Sequence, residues 1–477
     1  TALETSGFES VSAFGHDAGA VHAQALIVAR RDRSPDPAEP VWMVISADGT
    51  TSTWCDPLGR VVPVEVVDGS DQDWAALVTE ALARPGRRWG GIVYDASKLR
   101  DAPASAARAA HDIARIATAL RDTPESDARL VVVTCGAMAV GRTEPCYAAQ
   151  TALWGLGRSI ALEASPVWGG LVDLDPGCDA AQHAGIVATR FLDPDDEDQT
   201  AWRAGERLVP RLLRDRDPVP TPLSLRADAS YLLTGAFGGL GPKLIRWLVR
   251  IGARHLVLIG RSAPSPDTWP AVDPESAAGK AIASIREVQA NGVRCTVVAA
   301  DVGDQTAMGR VFDDARGRGV PIRGVVHAAA SIRFAGLEEL TEARLDEALH
   351  AKASGALVLD ALTRDGVNDF LVFFSSGTAI LGASRLGAYA AANQFLAAVA
   401  QERVRAGYPA TVVDWGAWDE IRLLGPDGAE SMAALGFEVL DDTRALDTLS
   451  ALIIDGSTQR FVAALDVGRL RAAYQVH

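Results

Sequence analysis

Lysine is scarce in this 477-residue chain: only Lys98, Lys243, Lys280 and Lys352 stand among its 46 basic residues, the rest being arginine. A lysine at a chemically useful position is therefore harder to ascribe to chance. Basic charge as a whole is in deficit. The net charge of −15 argues against nucleic acid or an anionic membrane as partner, because phosphate binding needs a basic face. No apolar run approaches the ~20 residues that span a bilayer. The five cysteines, at 55, 135, 146, 178 and 295, show no metal-ligand spacing. That pattern reads as a reduced, cytoplasmic protein without disulfides or a metal site. Thr1–Phe8 has neither the basic nor the apolar region of a secretory signal.

What is present is an internal repeat. Residues 130–174 open with Leu-Val-Val-Val-Thr-Cys-Gly and close with Gly-Gly-Leu-Val-Asp-Leu; residues 371–415 open with Leu-Val-Phe-Phe-Ser-Ser-Gly and close with Ala-Thr-Val-Val-Asp-Trp. One offset aligns the opening runs, the alanine-rich stretches between them, and Asp173 with Asp414. A β-branched or aromatic run, a 3.6-period segment and a second apolar run predict strand-helix-strand. Gly91–Tyr94 and Gly324–His327 form a further related pair at a different offset. The expected fold is α/β, with two Rossmann-like halves. Residues 1–222 form a truncated half and 223–477 a complete one, parted in the Arg/Asp/Pro-rich stretch Asp215–Pro222.

The halves differ at their openings. The second begins with the strand pattern Tyr231–Leu233, then Thr234-Gly235-Ala236-Phe237-Gly238-Gly239-Leu240-Gly241, then a helical pattern. Glycines in that context let the backbone approach a pyrophosphate at a helix N-terminus. The first half offers a strand candidate at Val41–Ile45 and no such loop. After the next strand pattern, Leu256–Ile259, come Arg261 and Ser262 in place of the acidic residue expected with NAD. An arginine there suits the 2′-phosphate of NADPH. Asp301 and Val302 follow the strand pattern ending at Ala299, placed to meet the adenine, although Asp301 reads equally as a helix cap.

The strand pattern Phe370–Phe374 runs into Ser375 and Ser376, with Tyr389 thirteen residues after Ser376 and Asn393 one helical turn further. A phenol with pKa near ~10 serves as general acid when a cation tunes it. A serine hydroxyl can share the same substrate oxygen.

These residues are similar to the short-chain dehydrogenase/reductase superfamily, and specifically to the ketoreductase domains of modular type I polyketide synthases. Most of the superfamily carries Tyr-x-x-x-Lys. These ketoreductases carry Tyr-x-x-x-Asn and take the lysine from an earlier helix, which matches Tyr389, Asn393 and Lys352 in His350-Ala351-Lys352-Ala353. Trp154–Arg158, Trp168–Leu174 and Arg203–Arg211 resemble the family's structural subdomain. Val325-Val326-His327-Ala328-Ala329, Ala330 and Asp414-Trp415-Gly416 resemble the segments around its nicotinamide, with Ala330 where glycine is usual.

The resemblance implies NADPH-dependent reduction of a β-ketoacyl thioester. Tyr389 would be the proton donor, Ser376 would bond the same oxygen, Lys352 would sit on the nicotinamide ribose, and Asn393 would support the lysine. It also implies an acyl carrier protein with a phosphopantetheine arm, and neighbouring synthase domains, as partners. A fatty-acid-synthase or α-ketoacyl reductase domain, or a redox-inactive docking domain, are the alternatives. In the first half, Cys135, Ala148 and Ala152 stand at the repeat positions of Ser376, Tyr389 and Asn393. That half is expected to be noncatalytic. Neither family mark of product configuration is present, since Ile332-Arg333-Phe334 replaces Leu-Asp-Asp and Leu381 replaces a tryptophan.

Overall fold

The computed structural model describes residues 8–14, 26–31 and 40–474, apart from 48–49, 68–72, 101, 125, 142–143, 194, 216–221, 367, 420–429 and 431. Most of the expected linker and most of Thr1–Phe8 lie outside the described residues. A short antiparallel pair, β1 (Phe8–Phe14) and β2 (Leu26–Arg31), precedes two larger sheets. The first sheet comprises β3 (Val41–Ser46), β4 (Val64–Val67), β5 (Trp89–Asp95), β6 (Arg129–Cys135), β7 (Trp168–Leu174), β8 (Gln199–Arg203) and β9 (Glu206–Leu208). Its spatial order is β4-β3-β5-β6-β7-β8-β9, with only β8–β9 antiparallel.

The second sheet comprises β10 (Ser230–Thr234), β11 (His255–Gly260), β12 (Arg294–Ala299), β13 (Ile322–His327), β14 (Phe370–Ser376), β15 (Thr411–Trp415) and, after β16 (Phe437–Glu438), β17 (Gln459–Val462). Its order is β12-β11-β10-β13-β14-β15-β17, and all its pairs are parallel. β16 pairs instead with β18 (Ala464–Leu465). Among the described residues the first sheet has no counterpart of β12, which leaves that half the shorter on this side. The expected boundary at 222 falls between β9 and β10.

Parallel strands covered by helices on both faces are apolar throughout, and β10 and β15 are buried at every position. The two helices that the repeat aligns, Ala148–Glu163 and Gly387–Arg405, make the largest contact between any two elements of the described chain. The halves therefore meet through the same helix of each, as the two protomers of an isologous dimer do. This explains why residues 148–160 are buried on all sides of their helix: one face meets its own sheet and the other meets the opposite half. Gly155 is at the crossing, where a Cβ would overlap the Ala390 carbonyl.

Candidate functional site

Strand order reverses in the second sheet beside β10, between β11 and β13, where open α/β sheets leave a crevice at their carboxyl ends. A cavity of about 1240 Å³ occupies that crevice. It gathers Thr234, Gly235, Phe237, Gly238, Gly239 and Leu240 from the loop after β10, and Arg261 and Ser262 from the end of β11. Asp301 and Val302 come from beyond β12, Ala328, Ala329 and Ala330 from beyond β13, Trp415 from the end of β15 and Gly416 from just beyond it. Lys352, Ser376 and Tyr389 line it as well. Of the sequence-derived candidates, Gly241 and Asn393 are not on its wall.

Gly235 and Gly241 are each required for a different reason. Gly235 is left-handed (φ +71°), and a Cβ there would come within 2.7 Å of the Ala328 carbonyl. Gly241 opens the helix Gly241–Arg250 so close to Ala236 that a side chain would overlap that carbonyl. No side chain caps this helix; its Gly241 N–H donates to the Gly238 carbonyl at 3.1 Å and Pro242 has no N–H, so an anion there would be met by the positive end of the helix dipole rather than by these two groups. Arg261 is exposed and makes no hydrogen bond among the described residues. The residues present therefore fit a phosphorylated dinucleotide. Among the described residues, no His/Cys/Asp/Glu cluster could hold a metal ion.

Asp301 is not the cap of the helix that follows. Asp304 caps it, accepting from the Ala307 N–H at 2.9 Å. Asp301 instead accepts from the Gly303 N–H (2.8 Å) and faces the His350 imidazole (3.0 Å). Burial works against its charge, but these bonds hold its carboxyl below the usual value.

Lys352 sits in a π-helical turn, His350–Ser354, between the helices Glu342–Leu349 and Gly355–Leu362. Such single-turn bulges recur at functional sites. Its ammonium donates to the Phe374 carbonyl at 2.7 Å and lies 5.6 Å from the centre of the Tyr389 ring. Burial pushes its pKa down to about 7, with Asp414 opposing. Tyr389 is half-buried. Burial raises its pKa above 10, and hydrogen bonds from Asn393 and Ser376 pull the other way. Asn393 is fully buried and donates to the carbonyl of Tyr389 at 2.8 Å, while its Oδ1 has no partner among the described residues. The expected Asn393 support of Lys352 is thus not a direct bond between the two side chains.

Three contributors were not assigned roles from sequence. His327 ends β13 fully buried, joining Thr234 Oγ1 (2.7 Å) to the backbone carbonyl of Lys352 (3.1 Å). It ties the glycine loop to the lysine turn, and burial beside Lys352 pushes its pKa down to about 3, so it remains neutral. Arg158 and Glu163 belong to the first half. Arg158 is buried and donates to the Ala379 carbonyl and to Gln199 Oε1 (2.8 Å). A single basic residue in a mostly apolar helix was the available signal for Arg158.

Residues 229–420 match the family model described as the KR domain, and residues 24–212 match the Rossmann fold domain of the polyketide synthase extender module SpnB. The chain is 33% identical over 375 residues to a phenolphthiocerol/phthiocerol polyketide synthase of Mycobacterium bovis, covering 78% of this chain and 23% of that protein. It is 34% identical over 405 residues to erythronolide synthase EryA3 of Saccharopolyspora erythraea, covering 81% and 12%. The chain thus spans less than a quarter of the length of these relatives. A solved structure of A-type ketoreductases from a modular polyketide synthase superposes with TM-score 0.78 at 29% identity, covering 94% of each chain. With the paired halves and the crevice they enclose, these matches establish that the chain belongs to the ketoreductase domains of modular polyketide synthases.

Proposed function

We propose that this domain reduces a β-ketoacyl thioester, presented on the phosphopantetheine arm of an acyl carrier protein, to the β-hydroxyacyl thioester, with NADPH as reductant. The observation that carries the reading is that Lys352, Ser376 and Tyr389 line one cavity that also reaches Arg261, three strands away.

NADPH, when bound, supplies hydride to the ketone carbon. The uncapped helix after Gly241 and the loop Thr234–Leu240 would hold its pyrophosphate, and Arg261 with Ser262 its 2′-phosphate. Tyr389 gives its phenolic proton to the carbonyl oxygen as charge develops there, and the Ser376 hydroxyl donates a hydrogen bond to the same oxygen. Lys352 favours the phenolate that this transfer leaves behind, since a cation nearby stabilises the charged form. It would also meet the nicotinamide ribose. Asn393, whose unpartnered Oδ1 lies one turn from Tyr389, would complete the path that returns the proton.

The test is NADPH oxidation with a β-ketoacyl thioester and, separately, an α-ketoacyl thioester. Turnover of the first supports the proposal. Preference for the second assigns an α-ketoacyl reductase, and no turnover of either assigns a docking domain.

A further inference from the structure

We infer that the end of the helix Ala148–Glu163, in the noncatalytic half, positions the substrate-side wall of the cavity, and that Glu163 is the positioning residue. The inference rests on the reduction proposed above. The wall segment Ala379–Leu386 lies in sequence between Ser376 and Tyr389, and its residues 381–386 line the cavity.

This segment does not follow an easy backbone path. Gly382 and Arg385 are both left-handed, at φ +72° and +62°, and at Arg385 the side chain disfavours that conformation. Its constraints come from the other half. Glu163 Oε1 accepts from the Arg385 N–H at 2.6 Å, and Oε2 accepts from the Leu337 N–H at 3.3 Å. Ser159 Oγ accepts from the Ala383 N–H at 3.3 Å, and Arg158 donates to the Ala379 carbonyl. Gly382 passes so near the Arg158 carbonyl that a Cβ would lie 2.5 Å from it. Leu162 itself faces the cavity. The Ala335 N–H closes the arrangement by donating to the Arg385 carbonyl at 2.9 Å.

A role in the stability of its own helix does not account for Glu163. It is the last residue of that helix, where the macrodipole favours a cation over a carboxylate. Its two oxygens instead join two separate loops of the catalytic half. A hydrogen bond to a charged acceptor is strong enough to matter to a strained loop.

Glu163→Gln keeps the shape and one acceptor but turns an amide N–H₂ towards a backbone N–H. The expected result is a rise of about tenfold in KM for a β-ketoacyl thioester, a bond's worth of differential binding. The NADPH dissociation constant should stay within about twofold. In an Arg385→Gly background the left-handed backbone costs little, so the same substitution should raise KM by only about twofold. An unchanged KM, KM and NADPH affinity weakening together, or an equal effect in both backgrounds overturns the assignment. Amide hydrogen exchange of residues 379–386 gives a readout independent of turnover: faster exchange in Glu163→Gln supports positioning, and unchanged exchange refutes it. Inactivity of the wild type with faster exchange in the variant would sink the proposed reaction and leave the positioning role standing.

Discussion

Asp173 and Asp414 occupy the same place in the two halves, at the end of β7 and of β15, and their surroundings show how one scaffold became two things. Asp173 accepts from Thr134 Oγ1 (2.7 Å), from the N–H groups of Ala137 (2.8 Å) and Met138 (3.1 Å), and from Arg203 Nη2 (2.7 Å). Asp414 accepts from Gln459 Nε2 at 2.7 Å. Burial raises its pKa to about 6, while Ser375, Gln459, Arg158 and Lys352 favour its charge. The first carboxylate is held by a complete polar net. The second has one oxygen without a partner among the described residues and feels the charge of Lys352.

Gln150 carries the difference further. At the repeat position of Ala391, it accepts from the Cys135 N–H (2.6 Å) and donates to the carbonyls of Ser97 (3.2 Å) and Leu99 (2.9 Å). Its side chain ties together strand ends whose counterparts in the second half border the cavity. Strand ends bonded to one another in this way stiffen a support.

The comparison breaks first at the chemistry. Tyr389→Phe should lower turnover about 10²–10⁴-fold with NADPH affinity close to wild type, as read by steady-state rates beside fluorescence titration. Retained activity would leave the two halves chemically equal at this position. Arg261→Ala should next weaken NADPH about ten- to a hundredfold and leave NADH binding unchanged, since a charge-assisted bond contributes about 1.5–3 kcal/mol. Gly155→Ala should cost about 1–3 kcal/mol by overpacking the helix crossing. It should also slow turnover, because the residue displaced is Ala390, next to Tyr389. Thermal unfolding and kcat together check this, and a neutral outcome would show that the halves are not braced against each other there.

A smaller effect sharpens the contrast at Tyr94, whose counterpart on β13 is His327. Tyr94 donates to Asp112 at 2.9 Å, and burial raises the Asp112 pKa from 3.8 to about 6. A raised carboxylate pKa means that the folded state resists ionisation. The stability this group contributes is present below 3.8 and is lost as pH rises through about 6. Asp112→Asn should therefore melt about 1–2 °C higher than wild type at pH ~8 and equally near pH ~4. The smallest effect is at the position matching Ser376: Cys135→Ala should leave turnover and NADPH affinity as they were.

Much of this was legible before any coordinates. The repeat announced the paired halves, because strand and helix periods are local properties that survive divergence. The spacing of Ser376 and Tyr389, with one rare lysine upstream, pointed to residues that do line one cavity, while Asn393 is buried off its wall. What stayed hidden has a common cause. Arg158 meets Ala379, Glu163 meets Arg385, and His327 meets Thr234, across separations of 221, 222 and 93 residues. No periodicity encodes such pairs. The exchange of Asp304 for Asp301 as helix cap was a local ambiguity, since either aspartate could begin that helix.

The sequence by itself determined that the second half carries the glycine-rich turn Thr234–Gly241 and the strand-end Arg261 and that the first half has no such turn, because these are short runs next to local strand and helix patterns. It also determined which half lacks the reactive hydroxyls. Only the tertiary structure decided that Arg158 and Glu163 of the first half bond the backbone of Ala379 and Arg385 in the second. That contact arises where two repeat-equivalent helices cross, and burying both of their apolar faces at once brings Glu163 to the backbone of Arg385.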